Sequence, residues 1–210
     1  PVDDPPIATP ATASGDEDHD VAVALAGTDA DGAVDRVTVT ALPSAAQGVL
    51  YLADGTTPVA VDTPIPAADA ATLVFRPAPN FHGDVMIAFT VTDDDGDASA
   101  AADAVIIVRD VNDPPIAGND AASLEAGQTI AINVLANDSD ADGDRLGVVA
   151  AVAQHGSMTI QPDGGLLYTS HPGFDGADVI TYRAADGRGG FATATVNVTV
   201  TAAPVSPNTA

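Results

Sequence analysis

A segment near the start of the chain returns 109 residues later in almost the same form. Residues 2–8 read Val-Asp-Asp-Pro-Pro-Ile-Ala, and residues 111–117 read Val-Asn-Asp-Pro-Pro-Ile-Ala. A repeat of about 100 residues has the length of a whole domain, whereas solenoid repeats are about 20–50 residues long. The sequence therefore predicts two tandem domains of one kind. We place the first domain with its linker at 5–113, the second at 114–203, and a linker towards a next domain at 204–210.

The charge balance limits the partners of such a chain. The 210 residues include 30 acidic residues, of which 28 are aspartates, against six arginines and no lysine, and the formal net charge is −24. This charge repels nucleic acid and anionic membrane surfaces. It also destabilises a compact fold by self-repulsion unless cations bind. We therefore expect bound cations, no nucleic-acid partner and a monomeric chain.

The sequence can form neither disulfide bonds nor a membrane-spanning helix. The chain has no cysteine, so neither disulfides nor thiolate metal sites can form. The longest β-branched apolar run, residues 105–108, is far too short to cross a bilayer, so we expect no membrane insertion. Both ends read as linker sequence, and we expect the chain to be a piece of a longer array of repeats.

Short apolar runs separated by Gly, Pro and Asp predict an all-β fold. Each copy holds six or seven candidate strands in about 100 residues, which is typical of an immunoglobulin-like Greek-key sandwich of two sheets. In the run 85–92, alternate residues are large and apolar, so one face of that strand is expected to pack inward. The predicted strands are 21–25, 34–42, 49–52, 72–76, 85–92 and 105–109 in the first copy, and 130–135, 146–152, 157–160, 166–169, 179–184 and 193–201 in the second.

Two glycines mark equivalent corners in the two copies. Aligning Phe81-His82-Gly83 with Phe174-Asp175-Gly176 needs no gap as far as Asp93 and Asp186. Gly83 and Gly176 are expected to adopt positive φ there, and the two phenylalanines are expected to close the end of the core.

No known catalytic pattern occurs in the chain. A nucleophile elbow, a zinc-protease helix motif and a phosphate-binding glycine loop are all missing. The histidines lie near predicted turns, mostly beside Gly or Pro, and we interpret them as turn residues; they are His19, His82, His155 and His171. The sequence therefore predicts that the chain is not an enzyme.

An acidic loop recurs at a similar offset in both copies. In the second copy, residues 138–144 read Asp-Ser-Asp-Ala-Asp-Gly-Asp, which matches the first half of an EF-hand loop. The match then fails, because Val149 stands where the bidentate Glu is needed and a strand follows. Further oxygen ligands must come from elsewhere. The neighbouring linker offers Asp110, Asn112 and Asp113, whose hard oxygen atoms suit Ca²⁺.

These motifs resemble those of the cadherin family. The likeness comprises a linker close to D-x-N-D-N, a D-A-D loop between early strands, an aspartate-glycine turn before the last strand and a Glu near the domain start. More specifically, the chain resembles the bacterial cadherin-like tandem repeats of large secreted, RTX-type adhesins, which carry V-N-D-x-P linkers and N-D-S-D-A-D-G-D loops. The resemblance covers about residues 5–200. The animal L-D-R-E segment has no copy here, and Pro114 replaces the last Asn of the linker.

The resemblance implies a calcium site at the junction between the two domains. Its ligands would be Glu17 from the first domain, Asp110, Asn112 and Asp113 from the linker, and Asp140, Asp142 and Asp186 from the second domain. Asp138 and Asp144 are further candidates. An upstream junction would use Asp3 and Asp4 together with Asp29, Asp31 and Asp93, and Glu125 would face a downstream neighbour.

The resemblance also implies a function outside the cell. We expect a calcium-rigidified extender module of a secreted or cell-surface bacterial adhesin, which contributes to cell adhesion or biofilm formation and contacts neighbouring repeats of its own chain. The alternative is a module of an extracellular protein that binds carbohydrate or a host or cell-surface protein. The absence of Trp and the similar layout of both copies favour the extender.

Overall fold

The computed structural model describes residues 4–204 of the chain. The chain divides into two compact units between Val111 and Asn112. Both units are built of β-strands, and the described residues contain a single short helix, α1 (Ala67–Ala70). The predicted all-β fold of two tandem sandwiches is confirmed. Asp3 and residues 205–210, most of the predicted terminal linker, lie outside the described residues.

The described part of the first unit contains ten strands. They are β1 (Ile7–Thr9), β2 (Ala11–Asp16), β3 (Val21–Val23), β4 (Ala26–Thr28), β5 (Val34–Ala41), β6 (Gly48–Tyr51), β7 (Pro64–Pro66), β8 (Leu73–Pro77), β9 (Gly83–Asp93) and β10 (Ala102–Arg109). The larger sheet has the order β2-β10-β9-β5-β7, a second sheet has the order β3-β8-β6, and β1 pairs with β4. Strand β2 runs parallel to β10, and β9 runs antiparallel to it.

The second unit repeats this plan with seven strands among its described residues. They are β11 (Asp120–Glu125), β12 (Thr129–Ile132), β13 (Gly147–Val152), β14 (Gly156–Ile160), β15 (Leu166–Ser170), β16 (Gly176–Ala185) and β17 (Phe191–Thr201). Its sheets have the orders β11-β17-β16-β13 and β12-β15-β14. Strand β11 runs parallel to β17, as β2 does to β10, and β16 runs antiparallel to β17.

Each of the twelve predicted strands overlaps an observed strand, and five short strands were not predicted. Two of these five, β2 and β11, open the large sheet of their unit. They consist mainly of Ala, Ser, Thr and Asp, and their alternate residues are only half-buried. Small side chains give a weak apolar alternation, so hydrophobic periodicity did not reveal these strands.

The core of each unit follows the predicted alternation. In β9 the side chains of Val85, Ile87, Phe89 and Val91 are fully buried. Burial of one such side chain contributes about 1.5–3 kcal/mol, so this face of β9 is a main source of stability. The predicted corners are also confirmed, because Gly83 and its counterpart Gly176 have φ of 123° and 135°.

A buried aspartate ties three elements of the second unit together. Asp178 is buried in β16 and accepts hydrogen bonds from the Tyr168 hydroxyl at 2.7 Å, the Val179 amide at 2.9 Å and the His155 amide at 3.0 Å. The His155 ring stacks on Phe174 with ring centroids 4.2 Å apart. Burial acts to raise the pKa of Asp178, but these hydrogen bonds outweigh it, and the pKa lies below its ordinary value of 3.8.

We predict that Asp178→Asn lowers the free energy of unfolding of the second unit by about 1–3 kcal/mol at neutral pH, because a charged acceptor of buried hydrogen bonds is lost. A carboxylate with a lowered folded-state pKa stabilises the fold above its unfolded pKa, and this stability is lost as the pH falls through the folded pKa. The loss of stability below about pH 4 should therefore be smaller in the variant than in the parent. Urea unfolding from pH 7 to pH 3, followed by amide NMR signals of the second unit, measures both effects.

The matched control is Asp175→Asn, because Asp175 is exposed and lies three residues away. It should leave the free energy of unfolding within about 0.5 kcal/mol of the parent value. If the free energy of unfolding fell by the same amount between pH 7 and pH 3 in Asp178→Asn and in the parent, the proposed role of the Asp178 hydrogen bonds would be contradicted.

Candidate metal centres

The end of strand β10 brings Glu17 and Asp110 together. Asp16 of β2 lies opposite Arg109 of β10 in parallel register, so the next residue of each strand lies at the same end of the sheet. Glu17 is only 2% exposed, and its Oε1 accepts a 2.7 Å hydrogen bond from the amide of Val111. Its other oxygen, Oε2, is buried and accepts no hydrogen bond from the described residues. One carboxylate oxygen is therefore left for a cationic partner.

His82 reaches the same place from the neighbouring strand. It directly precedes β9, whose first residue, Gly83, pairs with Val108 of β10. Its Nδ1 lies 3.6 Å from Oδ1 of Asp110 and 3.9 Å from Oε2 of Glu17. One ligand-type atom from each of the three side chains lies within 4.8 Å of the other two. We call these three residues the Glu17 group, and His82 is a member that sequence analysis missed.

The opposite end of β9 carries another buried carboxylate. Asp93 is the last residue of β9 and is only 1% exposed. Its Oδ1 accepts hydrogen bonds from the amides of Gly96 at 2.7 Å and Asp97 at 2.8 Å, whereas its Oδ2 is buried without a described donor. At about 3.3 Å per residue, the two ends of this strand are roughly 30 Å apart. The first unit thus has a buried carboxylate oxygen without a described hydrogen-bond donor near each end of its longest strand, and we call such an atom an orphan oxygen.

The predicted loop at 29–32 lies against the end of β9. A side chain at Gly32 would come within 2.6 Å of Asp29 Oδ2 and of Asp94 Oδ1, so this glycine packs between two carboxylates. Asp31 Oδ1 accepts a 3.4 Å hydrogen bond from the amide of Asp4. The structure therefore adds Asp94 to the predicted residues. Among residues 4–204, three carboxylates do not converge within 4.8 Å at this end of β9, so Asp29, Asp31 and Asp94 are neighbours of the strand end rather than a closed cluster.

The acidic loop of the second unit folds around one aspartate. Asp140 Oδ1 accepts hydrogen bonds from the amides of Asp142 at 3.0 Å and Asp144 at 3.3 Å, and Gly143 provides the turn with φ of 74°. One carboxylate oxygen from each of the three aspartates lies within 4.8 Å of the others. Asp140 Oδ2 is buried without a described donor. Asp144 also contacts Arg188 at 3.2 Å. We call Asp140, Asp142 and Asp144 the Asp140 loop.

The start of the second unit is bonded to this region. The amide of Asp113 donates a 2.8 Å hydrogen bond to Asp142 Oδ2, and Asn112 Nδ2 donates at 2.8 Å to Asp186 Oδ2. The other polar atom of the Asn112 side chain, Oδ1, is buried without a described partner. The hydrogen bond from Asn112 lowers the pKa of Asp186, against the effect of burial and with the help of backbone amides. Four predicted ligands thus share one hydrogen-bonded region: Asn112, Asp113, Asp142 and Asp186.

Two other predicted residues have different surroundings. Asp138 accepts hydrogen bonds from the amide of Gly118 at 2.8 Å and from the hydroxyl of Tyr182 at 3.0 Å, which join its carboxylate to the core of the second unit. Burial and the charge of Asp138 raise the pKa of nearby Asp120. Glu125 ends strand β11 and is exposed.

The donor chemistry of these groups suits hard divalent cations. Ca²⁺ takes about six to eight oxygen ligands from carboxylates, amides and backbone carbonyls. The Asp140 loop and the linker residues bonded to it supply such oxygens, and two of them, Asp140 Oδ2 and Asn112 Oδ1, are buried without a described donor. Without a cation, carboxylates this close repel one another.

A comparison with protein families identifies the family of the two units. Residues 3–106 and 112–199 each match the bacterial Ig domain family. The chain belongs to this family. No match to a curated protein was found. Domains of this type are typical of extracellular, non-enzymatic parts of proteins.

Among solved structures, the bacterial Ig units of this chain resemble cadherin ectodomains. A human cadherin-23 fragment, EC21–23, has a TM-score of 0.58 at 13% identity, with 94% of this chain and 69% of that one covered. A mouse cadherin-23 fragment, EC22–24, has a TM-score of 0.55 at 15% identity, with 95% and 65% covered. The protocadherin fragment PcdhgB3 EC1–4 has a TM-score of 0.55 at 14% identity, and the chain spans 50% of its length. This likeness shows the fold, and the predicted resemblance to cadherin-like repeats is confirmed at the level of the fold.

Over residues 4–204, the structure has no helix with the length and apolar character that a membrane span needs.

We predict that Asp142→Asn stabilises the ion-free second unit. The amide oxygen can still accept the hydrogen bond from Asp113, while one of three close negative charges is removed. At 4.8 Å in a water-like dielectric, the repulsion of one pair amounts to roughly 0.5–1 kcal/mol. Urea unfolding in chelator should therefore show a higher free energy of unfolding for the variant, with a smaller gain at high salt.

The control is Asp163→Asn, because Asp163 also accepts a hydrogen bond from a turn amide, that of Gly165 at 3.0 Å, but lies in no acidic cluster among residues 4–204. A destabilised Asp142→Asn variant in chelator would show that repulsion does not dominate in this loop.

Proposed function

We propose that this chain is a calcium-rigidified extender module of a secreted or cell-surface bacterial adhesin. The observation that carries the proposal is the position of the orphan oxygens in the first unit. Glu17 Oε2 and Asp93 Oδ2 are buried without donors near opposite ends of β9. A domain that binds cations at both ends can join a preceding and a following neighbour, which is what an array of repeats requires.

The second unit also supports the proposal that cations bind at both ends of a domain. Asp186 directly follows β16, and Glu125 lies at the far end of the same sheet, since β11 ends opposite Thr201 and β16 begins opposite Val200. Carboxylates therefore lie at both ends of this unit as well. The proposed ligands are those that the cadherin resemblance implies, with Asp138 and Asp144 as the further candidates from the sequence and Asp94 added because it lies near Asp29.

The linker is the segment that calcium would stiffen. Asp110 lies next to the end of the first unit and Glu17 lies at the same end of its sheet, whereas Asn112 and Asp113 begin the second unit. Ions held by these residues would restrict the backbone torsions of the few residues between them, and Pro114 and Pro115 fix the torsions that follow. Small contacts between domains rarely fix their geometry alone. Reach and stiffness would therefore depend on calcium.

The net charge of the chain also supports a stiffness that depends on calcium. A net charge of −24 favours separation of the parts of the chain, and each bound Ca²⁺ neutralises two charges where they are densest. The proposed partners are the neighbouring repeats of the same chain, and the proposed role of the array is cell adhesion or biofilm formation.

Small-angle scattering of the 210-residue chain, in calcium and then in chelator, tests the proposal. We predict a longer maximum dimension and a narrower distance distribution in calcium. Calorimetry of the same samples should show a higher melting temperature, because a ligand that binds only the folded state stabilises it by about 2.7 kcal/mol at 100 times its Kd. Identical scattering curves in the two buffers would rule out the extender role.

Asp142→Asn is the informative variant, because its effect should change sign. It should stabilise the ion-free chain but reduce the gain in melting temperature on adding calcium, whereas Asp163→Asn should change neither. A full calcium response in Asp142→Asn would remove the Asp140 loop from the proposed site.

A further inference from the structure

We propose that the Glu17 group is a mixed nitrogen and oxygen site that binds a first-row transition metal ion, with His82 Nδ1 as one ligand. This inference deepens the proposed function, because Glu17 and Asp110 are also proposed calcium ligands. It differs in the metal, since calcium sites use oxygen donors, whereas imidazole suits Zn²⁺, Ni²⁺ and Cu²⁺.

The distances between donor atoms fit a small ion. Nδ1 of His82 lies 3.6 Å from Asp110 Oδ1 and 3.9 Å from Glu17 Oε2. Tetrahedral Zn²⁺ with bonds of about 2.1 Å holds its ligands about 3.4 Å apart. Both distances from His82 are therefore within about 0.5 Å of this spacing, the Glu17 and Asp110 donors lie within 4.8 Å of each other, and water can complete the coordination.

The buried oxygen of Glu17 supplies the second, independent reason for a ligand at this place. Its side chain is 2% exposed, and Oε2 has no donor among the described residues. Arg109, which precedes Asp110, does not donate to this oxygen, because its Nε donates to Asp16 Oδ1 at 2.9 Å and its Nη1 contacts Ser14 Oγ at 3.4 Å. A buried carboxylate oxygen without a partner is unfavourable, and a metal ion removes that cost.

The second unit provides an internal comparison. Its residue at the position of His82 is Asp175. Its residue at the position of Glu17 is Ala126, whose amide donates to the Thr201 carbonyl as the Glu17 amide donates to the Arg109 carbonyl. The glutamate of this unit, Glu125, lies one residue earlier and is exposed. The matching end of the second unit therefore offers no imidazole and no buried orphan carboxylate. Transition-metal binding is accordingly a property of the first unit, and the substitution His82→Asp gives it the residue type of the second.

Zinc titration of the 210-residue chain tests the proposal, with isothermal calorimetry for affinity and NMR of the histidine ring nitrogens for the ligand. The parent should bind one Zn²⁺ tightly, and the ring nitrogen signals of His82 should shift with the first equivalent. Loss of even an indirect partner of a metal ligand costs about 10–100-fold in affinity, so His82→Asp should weaken zinc binding at least about tenfold. Its calcium affinity should rise, because a carboxylate replaces the imidazole.

His171→Ala is the control, because His171 is exposed and belongs to the second unit. It should bind zinc as the parent does. Equal zinc affinity in the parent and in His82→Asp, or unshifted His82 ring signals, would overturn the proposal. If calcium lengthens the chain but zinc binding ignores His82, only this inference fails. If zinc binds through His82 but calcium has no effect on scattering, only the extender role fails.

Discussion

Oxygen atoms that are buried without a hydrogen-bond donor govern this molecule. Moving an ionised carboxylate out of water costs several kcal/mol unless a cation or donors replace the lost hydration. Glu17, Asp93 and Asp140 each direct one carboxylate oxygen to a donor and leave the other buried without one. A chain with 30 acidic and six basic side chains has few cations of its own to offer. Divalent metal ions would compensate the charge of these buried oxygens, and the proposed function depends on this.

Strand register decides where these oxygens lie. In the first unit the parallel pairing of β2 with β10 brings Glu17 beside Asp110, and the antiparallel start of β9 adds His82. The second unit repeats the pairing, but its equivalent positions carry Ala126 and Asp175. One fold therefore presents two different donor sets, and the difference lies in a few side chains at strand ends rather than in topology.

Much of the fold could be predicted from the sequence, because large β-branched and aromatic residues alternate in the central strands, as in β9. The strands β2 and β11 could not, since their Ala, Ser and Thr side chains give little apolar contrast. The loop 138–144 was found from its local spacing, whereas Glu17 and Asp186 were candidates only through the cadherin resemblance. His82 was missed because its neighbours in the site, Glu17 and Asp110, are far away in sequence and meet only through strand pairing. The contact of Asp138 with the Tyr182 hydroxyl could not be predicted either, because it depends on tertiary packing.

A crystal structure of the chain grown in calcium, with anomalous scattering to identify the ion, tests the central claim most directly. The account predicts a metal ion about 2.3–2.6 Å from Asp140 Oδ2 and from Asp93 Oδ2, and a metal ion bound by Glu17 Oε2. Well-ordered water donating hydrogen bonds to these same oxygens, with no ion in calcium-saturated crystals, would contradict it.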